Sequence, residues 1–399
     1  MITISSYLHR EDLKDIIGRW MYDDSRPDDA ETITRLVHFN NLYVSRYLEG
    51  FCDELFFRIH GAEVRKRTTT LKGEVKDASV ENPPYRNHRI DELLWLYGHQ
   101  PGRFFRETPC RANLFFLDCG DGRGDCYVGS ARIKRIRRLA EKGARRLIDG
   151  VFDTIRGHAE ALAEERARQI GIQRDHLITS SEEMLAEFLK AEGELLEDLR
   201  LRRPISGMGE QAIHDVAGVK VILEDGEQDR LQKALSGMGD CSIIEEERHS
   251  GRYNAINRII CYRPPKEDIL KQPMDQRLLA VMEHRGLTAE RAQEEFARFV
   301  RSGEEGVNLE IIASNYQEML ESEIGRSMHE DRIIEQRLRQ RYRGHLSKNI
   351  EYLMRYLFAF PFSAQRRLEV LPIKIWNRYL PEYFDAVIAD LFHISFFDF

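Results

Sequence analysis

The sequence predicts an α+β protein in which helices flank a mixed β-sheet. Short β-branched runs recur between residues 216 and 313 and are typical of buried strands. Together with the segments between them, they follow the order strand, helix, strand, strand, strand, helix, which is an α+β layer arrangement. The regions on either side carry apolar residues at the mixed three and four spacing of amphipathic helices. We therefore expect mainly helical N-terminal and C-terminal regions around a central sheet.

Composition bounds the class of protein. A chain of 399 residues is long enough for two or three domains, and 42% hydrophobic content is ordinary for a soluble globular protein. The net charge of -7 argues against coating nucleic acid by bulk charge, but it leaves room for a local basic groove. There is no signal-peptide pattern, and no apolar run approaches the roughly 18 residues of a membrane span. We expect a cytoplasmic protein that does not contact membranes, with its cysteines as free thiols.

The first region, 1–180, is predicted to be mainly helical. Within 32–60, apolar residues at three and four spacing define one helix face. Two strands near 112–130 form a predicted β-hairpin around a Gly-rich turn, with Cys119 before the turn and Cys126 after it. An Arg-rich helical stretch follows, whose arginines either contact phosphate or RNA, or form a solvated helix face.

The central region, 181–345, holds the predicted sheet, with a polar helical insertion near 266–303. Its predicted elements are strand 216–223, helix 228–235, strands 241–247, 255–262 and 307–313, and a long helix from 316 to about 343. The last region, 346–399, places many aromatic residues on amphipathic helices. These helices dock either on the core or on a second subunit, so a homo-oligomer through them is one expectation.

Two acidic residues stand out in the predicted sheet. Asp215 lies two positions ahead of a small Ala-Gly pair that opens a β-branched strand. It either carries a function, caps the start of that strand, or pairs with a nearby Arg. Glu310 alternates to one face of the strand 307–313. Because a buried Glu without a partner is costly, its position favours a function.

From about residue 185 to 330 the chain resembles the RelA/SpoT family of pyrophosphate-transferring nucleotidyltransferases. Four segments carry the resemblance, in the order in which the family has them. Residues 213–222 are similar to the family's Asp-Ile-Ala-Gly-x-Arg strand, and residues 250–257 to its Gly-Tyr-x-Ser-x-His segment. Residues 309–314 stand where the family has Glu-x-Gln-x-Arg-Thr, and residues 318–329 follow its next helix without a gap.

The resemblance implies a nucleotidyltransferase-like core and the synthesis of alarmones. Family members transfer pyrophosphate from ATP to a guanosine nucleotide to make (p)ppGpp, the signal of the stringent response, and some relatives modify RNA. For this chain it implies ATP with a guanosine nucleotide as substrates, or ATP with tRNA or another RNA 3′ end. It also implies that Asp215 and Glu310 form the catalytic pair and hold Mg²⁺ or Mn²⁺.

Physical chemistry is consistent with these roles. Mg²⁺ commonly takes only one or two protein carboxylates and fills its shell with water and phosphate oxygens. Glu310 would also activate the attacking hydroxyl, and Tyr253 would stack on the guanine. The resemblance places Asn257, where the family has His, and His329 at the substrate. Tyr253 as a turn aromatic and His329 as a structural histidine are the alternative interpretations.

The segment that should bind donor ATP departs from the family pattern, as does Arg252, which is inserted between the Gly and the Tyr of the second segment. Of the family's Arg-x-Lys-Ser, only Lys190 fits, and the acidic residues after it would repel a triphosphate. Three arginines further on are candidate replacements for the missing charge: Arg200, Arg202 and Arg203. A different option is the segment 129–134, which loosely echoes Gly-Arg-Val-Lys-Ser but requires a long helical insertion before Asp215.

Two classes of function therefore remain. The retained Asp215 and Glu310 favour an enzyme, whereas the eroded donor segment favours a catalytically degenerate protein. Such a protein would bind nucleotide or RNA and act as a regulatory or interaction module. A purely structural core is a third hypothesis, and it requires the two carboxylates to point apart. The N-terminal region shows no His-Asp metal pairs of the hydrolase domain found in long family members, so we do not expect degradation of alarmone.

Overall fold

In the computed structural model the chain is an α+β protein, as the sequence predicted. The structure describes residues 1–120, 124–205, 209–251, 253–339 and 342–394. These ranges contain fourteen α-helices and nine strands, and seven of the strands form one mixed sheet. A membrane crossing would require a longer uninterrupted apolar helix than any within these ranges.

The seven-stranded sheet contains strands from both sides of residue 180, and two further strands form a separate pair. The strands are β1 (Ile2–Ile4), β2 (Arg65–Leu71), β3 (Pro109–Asp118), β4 (Asp125–Ile133), β5 (Gln211–Ile213), β6 (Ala217–Ile222), β7 (Cys241–His249), β8 (Ala255–Tyr262) and β9 (Val307–Ser314). Their order in the sheet is β2-β3-β4-β6-β9-β8-β7, and β6 and β9 are its one parallel pair. β1 and β5 form a separate parallel pair. The hairpin β3–β4 of the first region thus continues directly into the central sheet.

Helices cover the sheet and extend beyond it. They are α1 (Arg10–Met21), α2 (Asp29–His60), α3 (Lys72–Glu81), α4 (His88–His99), α5 (Ile136–Gln169), α6 (Ser181–Arg200), α7 (Gln228–Gly237), α8 (Lys266–Lys271), α9 (Gln276–His284), α10 (Ala289–Ser302), α11 (Tyr316–Ile324), α12 (His329–Leu338), α13 (His345–Ala359) and α14 (Pro381–Leu391). The long helices α5 and α6 follow β4 in the sequence and precede β5. They pack on each other, and α13 packs on α5. The predicted insertion 266–303 consists of α8, α9 and α10.

The predicted C-terminal aromatic residues pack within the chain. α13 buries an apolar face that includes Ile350 and Leu357. Tyr352 of α13 stacks on Phe384 of α14 with ring centroids 3.9 Å apart. These helices therefore dock on the core in the described residues, and contact with a second subunit stays a prediction. Residues 395–399 of this predicted region lie outside the described residues.

β2 was not predicted, because the first hundred residues were assigned mainly to helices. Its sequence, Arg-Lys-Arg-Thr-Thr-Thr-Leu, lacks apolar alternation, since at the edge of the sheet most of its side chains are exposed. The expectation of free thiols was also wrong for one pair. Cys119 and Cys126 form a disulfide across the β3–β4 turn, with Cα atoms 5.5 Å apart. Residues 121–123 of the Gly-rich turn lie outside the described residues.

The predicted long helix from 316 to about 343 is instead two helices, α11 and α12. Gly325 is extended, with φ -103° and ψ -162°, and it ends α11. The Glu321 side chain holds the break, because its Oε2 accepts a hydrogen bond from the Arg326 backbone N–H at 3.0 Å. Ser327 Oγ donates to the Glu321 carbonyl at 3.2 Å. The chain therefore changes direction before His329, and residues 340 and 341 of the predicted helix lie outside the described residues.

The two faces of the sheet differ in chemistry. Side chains alternate along each strand, so Ala131 and Val219 are buried in the core on the face that α2 covers. The opposite face carries Arg132 on β4, Gly218 on β6 and Glu310 on β9. The register places these three residues side by side across the strands. This polar face is the floor of the candidate site.

The substitution Gly129→Ala tests how closely β4 packs on α2. A Cβ at Gly129 would collide with the Lys220 carbonyl oxygen and lie 2.6 Å from Phe56 Cζ. We expect it to lower the free energy of unfolding by about 2–3 kcal/mol, measured by urea denaturation, because neither backbone nor a buried ring yields easily. In the control Gly157→Ala, on α5, the added methyl meets nothing within 4 Å and should stabilise by up to about 1 kcal/mol. Equal effects of the two changes would contradict the close packing.

Candidate functional site

Asp215 lies in the turn between β5 and β6 and is held by two lysines. Its Oδ2 accepts from Lys134 Nζ at 2.7 Å and from Lys142 Nζ at 2.5 Å, and its carbonyl oxygen also accepts from Lys134 at 2.7 Å. Lys134 follows β4, the neighbour of β6, and Lys142 projects from the first turns of α5. Burial opposes ionisation of Asp215, but the two ammonium groups outweigh it and lower its pKa to about 2. Asp215 is therefore ionised at neutral pH.

Glu310 lies on β9 beside the glycine of β6. A Cβ at Gly218 would lie 3.6 Å from Glu310 Oε2, so the missing side chain leaves the carboxylate its space. Asn257 Nδ2 on β8 donates to Glu310 Oε1 at 3.3 Å. Burial raises the pKa of Glu310, and the negative charge of Asp215 raises it further. The two carboxylates thus influence each other at one place on the sheet.

The pair fits a divalent cation that takes few protein ligands. Asp215 Oδ1 is buried and has no hydrogen-bond partner, and Asn257 Oδ1 beside Glu310 is in the same state. Among the described residues, no group of three or more His, Cys, Asp or Glu side chains is arranged to hold a metal ion. Two carboxylates suit Mg²⁺, whose remaining ligands are usually water and substrate phosphate.

A third acidic residue, Glu323 at the end of α11, contacts three cations, two through its carboxylate and one through its backbone carbonyl. Its Oε1 contacts Arg132 Nη2 at 3.0 Å and Lys220 Nζ at 3.1 Å. Because α11 ends at the next residue, the Glu323 carbonyl is free to accept from Lys76 Nζ, at 2.6 Å. Burial opposes ionisation, but Arg132 and Lys220 outweigh it, and the pKa of Glu323 lies well below its usual value. Arg132 and Lys220 belong to the same sheet face as Glu310.

The first turn of α12 adds further charges. Glu330 pairs with Lys72 and Lys76 of α3, each at 3.2 Å. Lys76 is completely buried, and this burial lowers its pKa despite the nearby carboxylates. His329 is exposed at the start of α12. Partial desolvation there, followed by the positive charge of Lys72, lowers the pKa of its imidazole, so the ring is neutral.

Tyr253 lies between these groups. The Arg332 guanidinium of α12 covers its ring, with Cζ 4.8 Å from the centroid. Burial raises the pKa of the Tyr253 phenol to about 12, with smaller effects from Arg332 and from the carboxylates of Glu323 and Glu310. The loop is fixed by its next residue, Asn254, whose backbone N–H and Nδ2 donate to Glu318 at 3.1 and 2.7 Å. Tyr253 therefore has a defined position near the carboxylates of Glu310 and Glu323.

Positive charge exceeds negative charge in this part of the molecule. Four carboxylates, those of Asp215, Glu310, Glu323 and Glu330, stand among seven cations. We call the cations together the cationic cluster; they are Lys72, Lys76, Arg132, Lys134, Lys142, Lys220 and Arg332. A local excess of positive charge in a chain of net charge -7 points to an anionic ligand.

The structure brings together five of the residues selected from the sequence: Asp215, Glu310, Tyr253, Asn257 and His329. It does not bring the candidate donor residues of α6 to them. Lys190 is exposed on α6. The three arginines pair elsewhere, Arg200 with Glu197, Arg202 with Asp24 and Arg203 with Asp198. From the segment 129–134, Arg132 pairs with Glu323 and Lys134 with Asp215. The long helical stretch between this segment and Asp215 consists of α5 and α6.

Sequence reasoning missed Lys72, Lys76 and Arg332. The two lysines are four apart on a short polar helix, which is the usual pattern of a solvated face. Only the packing of α11 over α3 buries them. Arg332 falls inside the predicted long helix from 316 to about 343, and Gly325 in that helix was the signal for the break that precedes α12.

The site combines an ionised carboxylate, a second carboxylate with a raised pKa, an aromatic ring and excess positive charge. This combination suits a polyanionic substrate with a planar base and a hydroxyl that must lose a proton. Comparison of the chain with protein-family models, curated proteins and solved structures found no match.

Opposite effects on stability are expected from neutralising the two carboxylates. Asp215→Asn leaves Lys134 and Lys142 without their counter-charge and should lower the free energy of unfolding at pH 7 by roughly 2–3 kcal/mol. Glu310→Gln removes a carboxylate whose ionised form is disfavoured, so it should raise the free energy of unfolding by up to about 1 kcal/mol. Denaturant unfolding at several pH values measures both.

The effect of each substitution on stability changes with pH in a defined direction. The pKa of Asp215 is depressed on folding, so its stabilisation is present above the usual value of 3.8 and is lost as pH falls toward about 2. The gain from Glu310→Gln should likewise vanish in acid, where Glu310 is already neutral. Destabilisation by both substitutions at pH 7 would contradict the assignment of opposite shifts.

Proposed function

We propose that this protein is a RelA/SpoT-like nucleotide pyrophosphokinase with a nucleotidyltransferase-like core that acts in the cytoplasm. It transfers pyrophosphate from ATP to a guanosine nucleotide, which yields a ppGpp-type alarmone, or to an RNA 3′ end such as that of tRNA. One observation carries the proposal: the charges of Asp215, in the turn before β6, and Glu310, on the adjacent β9, act on each other beside the cationic cluster. The proposal is supported by charge and geometry as well as by the sequence resemblance.

The donor side of the reaction requires positive charge near Asp215. Lys134 and Lys142 supply it beside Asp215, and Arg132 adds to it from β4, so their ammonium and guanidinium groups neutralise the triphosphate oxygens. Asp215 holds Lys134 and Lys142 in place. Mg²⁺ or Mn²⁺ held by Asp215 and Glu310 would supply further charge neutralisation of the phosphates when bound.

The acceptor side requires a base. In this transfer the acceptor oxygen forms a bond to the β-phosphorus of ATP, the bond from that phosphorus to the α–β bridging oxygen breaks, and AMP leaves. Glu310 takes the proton of the attacking hydroxyl. A carboxylate with a raised pKa is a stronger base than an ordinary one, so burial and Asp215 both improve Glu310 for this role.

The nucleobase of the acceptor needs an aromatic ring on which to stack. Tyr253 supplies it at a fixed position, since Asn254 and Glu318 clamp the loop. Asn257 orients the Glu310 carboxylate through its hydrogen bond. Neutral His329 lies within the field of Lys72, Arg332 and Lys220, where it would face the substrate as a hydrogen-bonding group rather than as a charge.

Transfer of label from ATP tests the proposal. With ATP labelled on the β-phosphate, Mg²⁺ and GDP, GTP or tRNA, we expect labelled acceptor from the wild-type protein. Asp215→Asn and Glu310→Gln should each lower kcat at least about 100-fold. The control Glu305→Gln removes an exposed carboxylate that pairs with Lys266 and should leave the rate unchanged. Label that never leaves ATP would exclude the enzyme, and nucleotide binding without transfer would favour the degenerate binding module.

A pair of lysine variants distinguishes the two donor segments. Lys142→Gln removes a positive charge beside Asp215 and should raise KM for ATP roughly tenfold or more. Lys190→Gln removes one from the exposed surface of α6 and should leave KM unchanged. The reverse result would return the donor site to α6. Steady-state kinetics with ATP as the varied substrate provides the measurement.

A further inference from the structure

α12 lies beside the cationic cluster with little of its own surface packed on the protein. Glu330, in the first turn, is the one residue of this helix that is buried. Ile334 and Leu338, on later turns, are exposed. A ten-residue helix gains little stability from its own hydrogen bonds. Its position therefore depends on a small number of side-chain contacts.

Three contacts hold α12 across the site. Glu330 anchors its start to Lys72 and Lys76. Arg332, half a turn later, covers the Tyr253 ring. Near its end, Arg337 makes a bidentate ion pair with Glu141 of α5, with Nε–Oε1 at 2.7 Å and Nη2–Oε2 at 2.8 Å. α12 thus connects the Tyr253 loop to the helix that carries Lys142.

The last of these contacts is the easiest to open. Arg337 and Glu141 are 54% and 36% exposed, and ion pairs at such exposure add little stability. The start of α12 follows the extended backbone at Gly325, which separates it from α11. A helix anchored at one end, with a break before it and an exposed ion pair at the other end, is built to swing about its anchor.

We propose that α12 is a strap that keeps the site closed, with the Arg337–Glu141 ion pair as its latch. The inference rests on the proposed function, because the group that Arg332 excludes from the Tyr253 ring is the purine base of the acceptor. When the latch opens, Arg332 leaves the ring and the base takes its place. The incoming nucleotide offers Tyr253 another planar partner and offers Arg332 a phosphate, so it offsets both of the contacts that opening breaks.

Arg337→Gln tests the latch. We expect faster hydrogen exchange of the backbone amides of α12 and faster association of N-methylanthraniloyl-labelled GDP, followed by stopped-flow fluorescence. Each should rise roughly twofold to fivefold, which is the range that loss of a surface ion pair allows. Arg337→Glu, which repels Glu141, should raise both further. In the control Arg339→Gln, the lost partner is Glu335 of the same helix, so both rates should stay as in the wild type.

The outcomes separate this inference from the proposed function. Unchanged exchange in both Arg337 variants would overturn the strap. Faster exchange with an unchanged association rate would show that α12 moves without controlling access, and would overturn the latch while the pyrophosphokinase stands. Faster exchange with no GDP binding in any variant would support a movable strap and count against the guanosine nucleotide as the group it admits.

Discussion

The parallel pairing of β6 with β9 is the constraint on which the candidate site depends. It sets Gly218 directly opposite Glu310, and it brings the turn that holds Asp215 to the end of the strand where Glu310 points up from the sheet. A shift of β9 by one residue would turn Glu310 into the apolar face and bring Leu309 or Ile311 to the polar face in its place. The hydrophobic alternation of β9 therefore specifies the position of the catalytic candidate as firmly as it specifies the core.

Around this pair, the structure tolerates arrangements that a purely structural core would avoid. A completely buried Lys76, a Glu310 whose ionised form is disfavoured and several buried polar atoms without partners all cost stability. They occur together beside an excess of positive charge. Such a concentration of unfavourable features in one place is typical of a functional site, where a ligand completes the contacts.

The cationic cluster also gives the surrounding helices a common role. α3, α5, α11 and α12 come from two of the regions of the chain. α3, α5 and α12 contribute Lys76, Lys142 and Arg332 to the cluster, and α11 contributes Glu323, which pairs with two of its members. The first 180 residues are thus part of the site, since they supply β4 and two of these helices. The strap formed by α12 depends on the same construction, because its two ends contact α3 and α5.

Much of the core could be predicted from the amino-acid sequence. Apolar alternation located β6, β8 and β9, and the acidic residues at unusual strand positions identified Asp215 and Glu310. These features depend on neighbouring residues and on the period of a strand, so local sequence is enough to define them. The edge strand β2 has no such period, and its partner β3 alone makes it a strand.

By itself, then, the chain's sequence determined the α+β class, the principal strands and the two carboxylates, because each follows from short-range patterns of apolar and acidic residues. Only the tertiary structure decided which cations surround them. Lys190 and Lys142 belong to equally polar helices, and the pairing of β4 with β6 is what brings the start of α5, rather than α6, to Asp215. That choice depends on contacts between residues far apart in the chain, which no local pattern encodes.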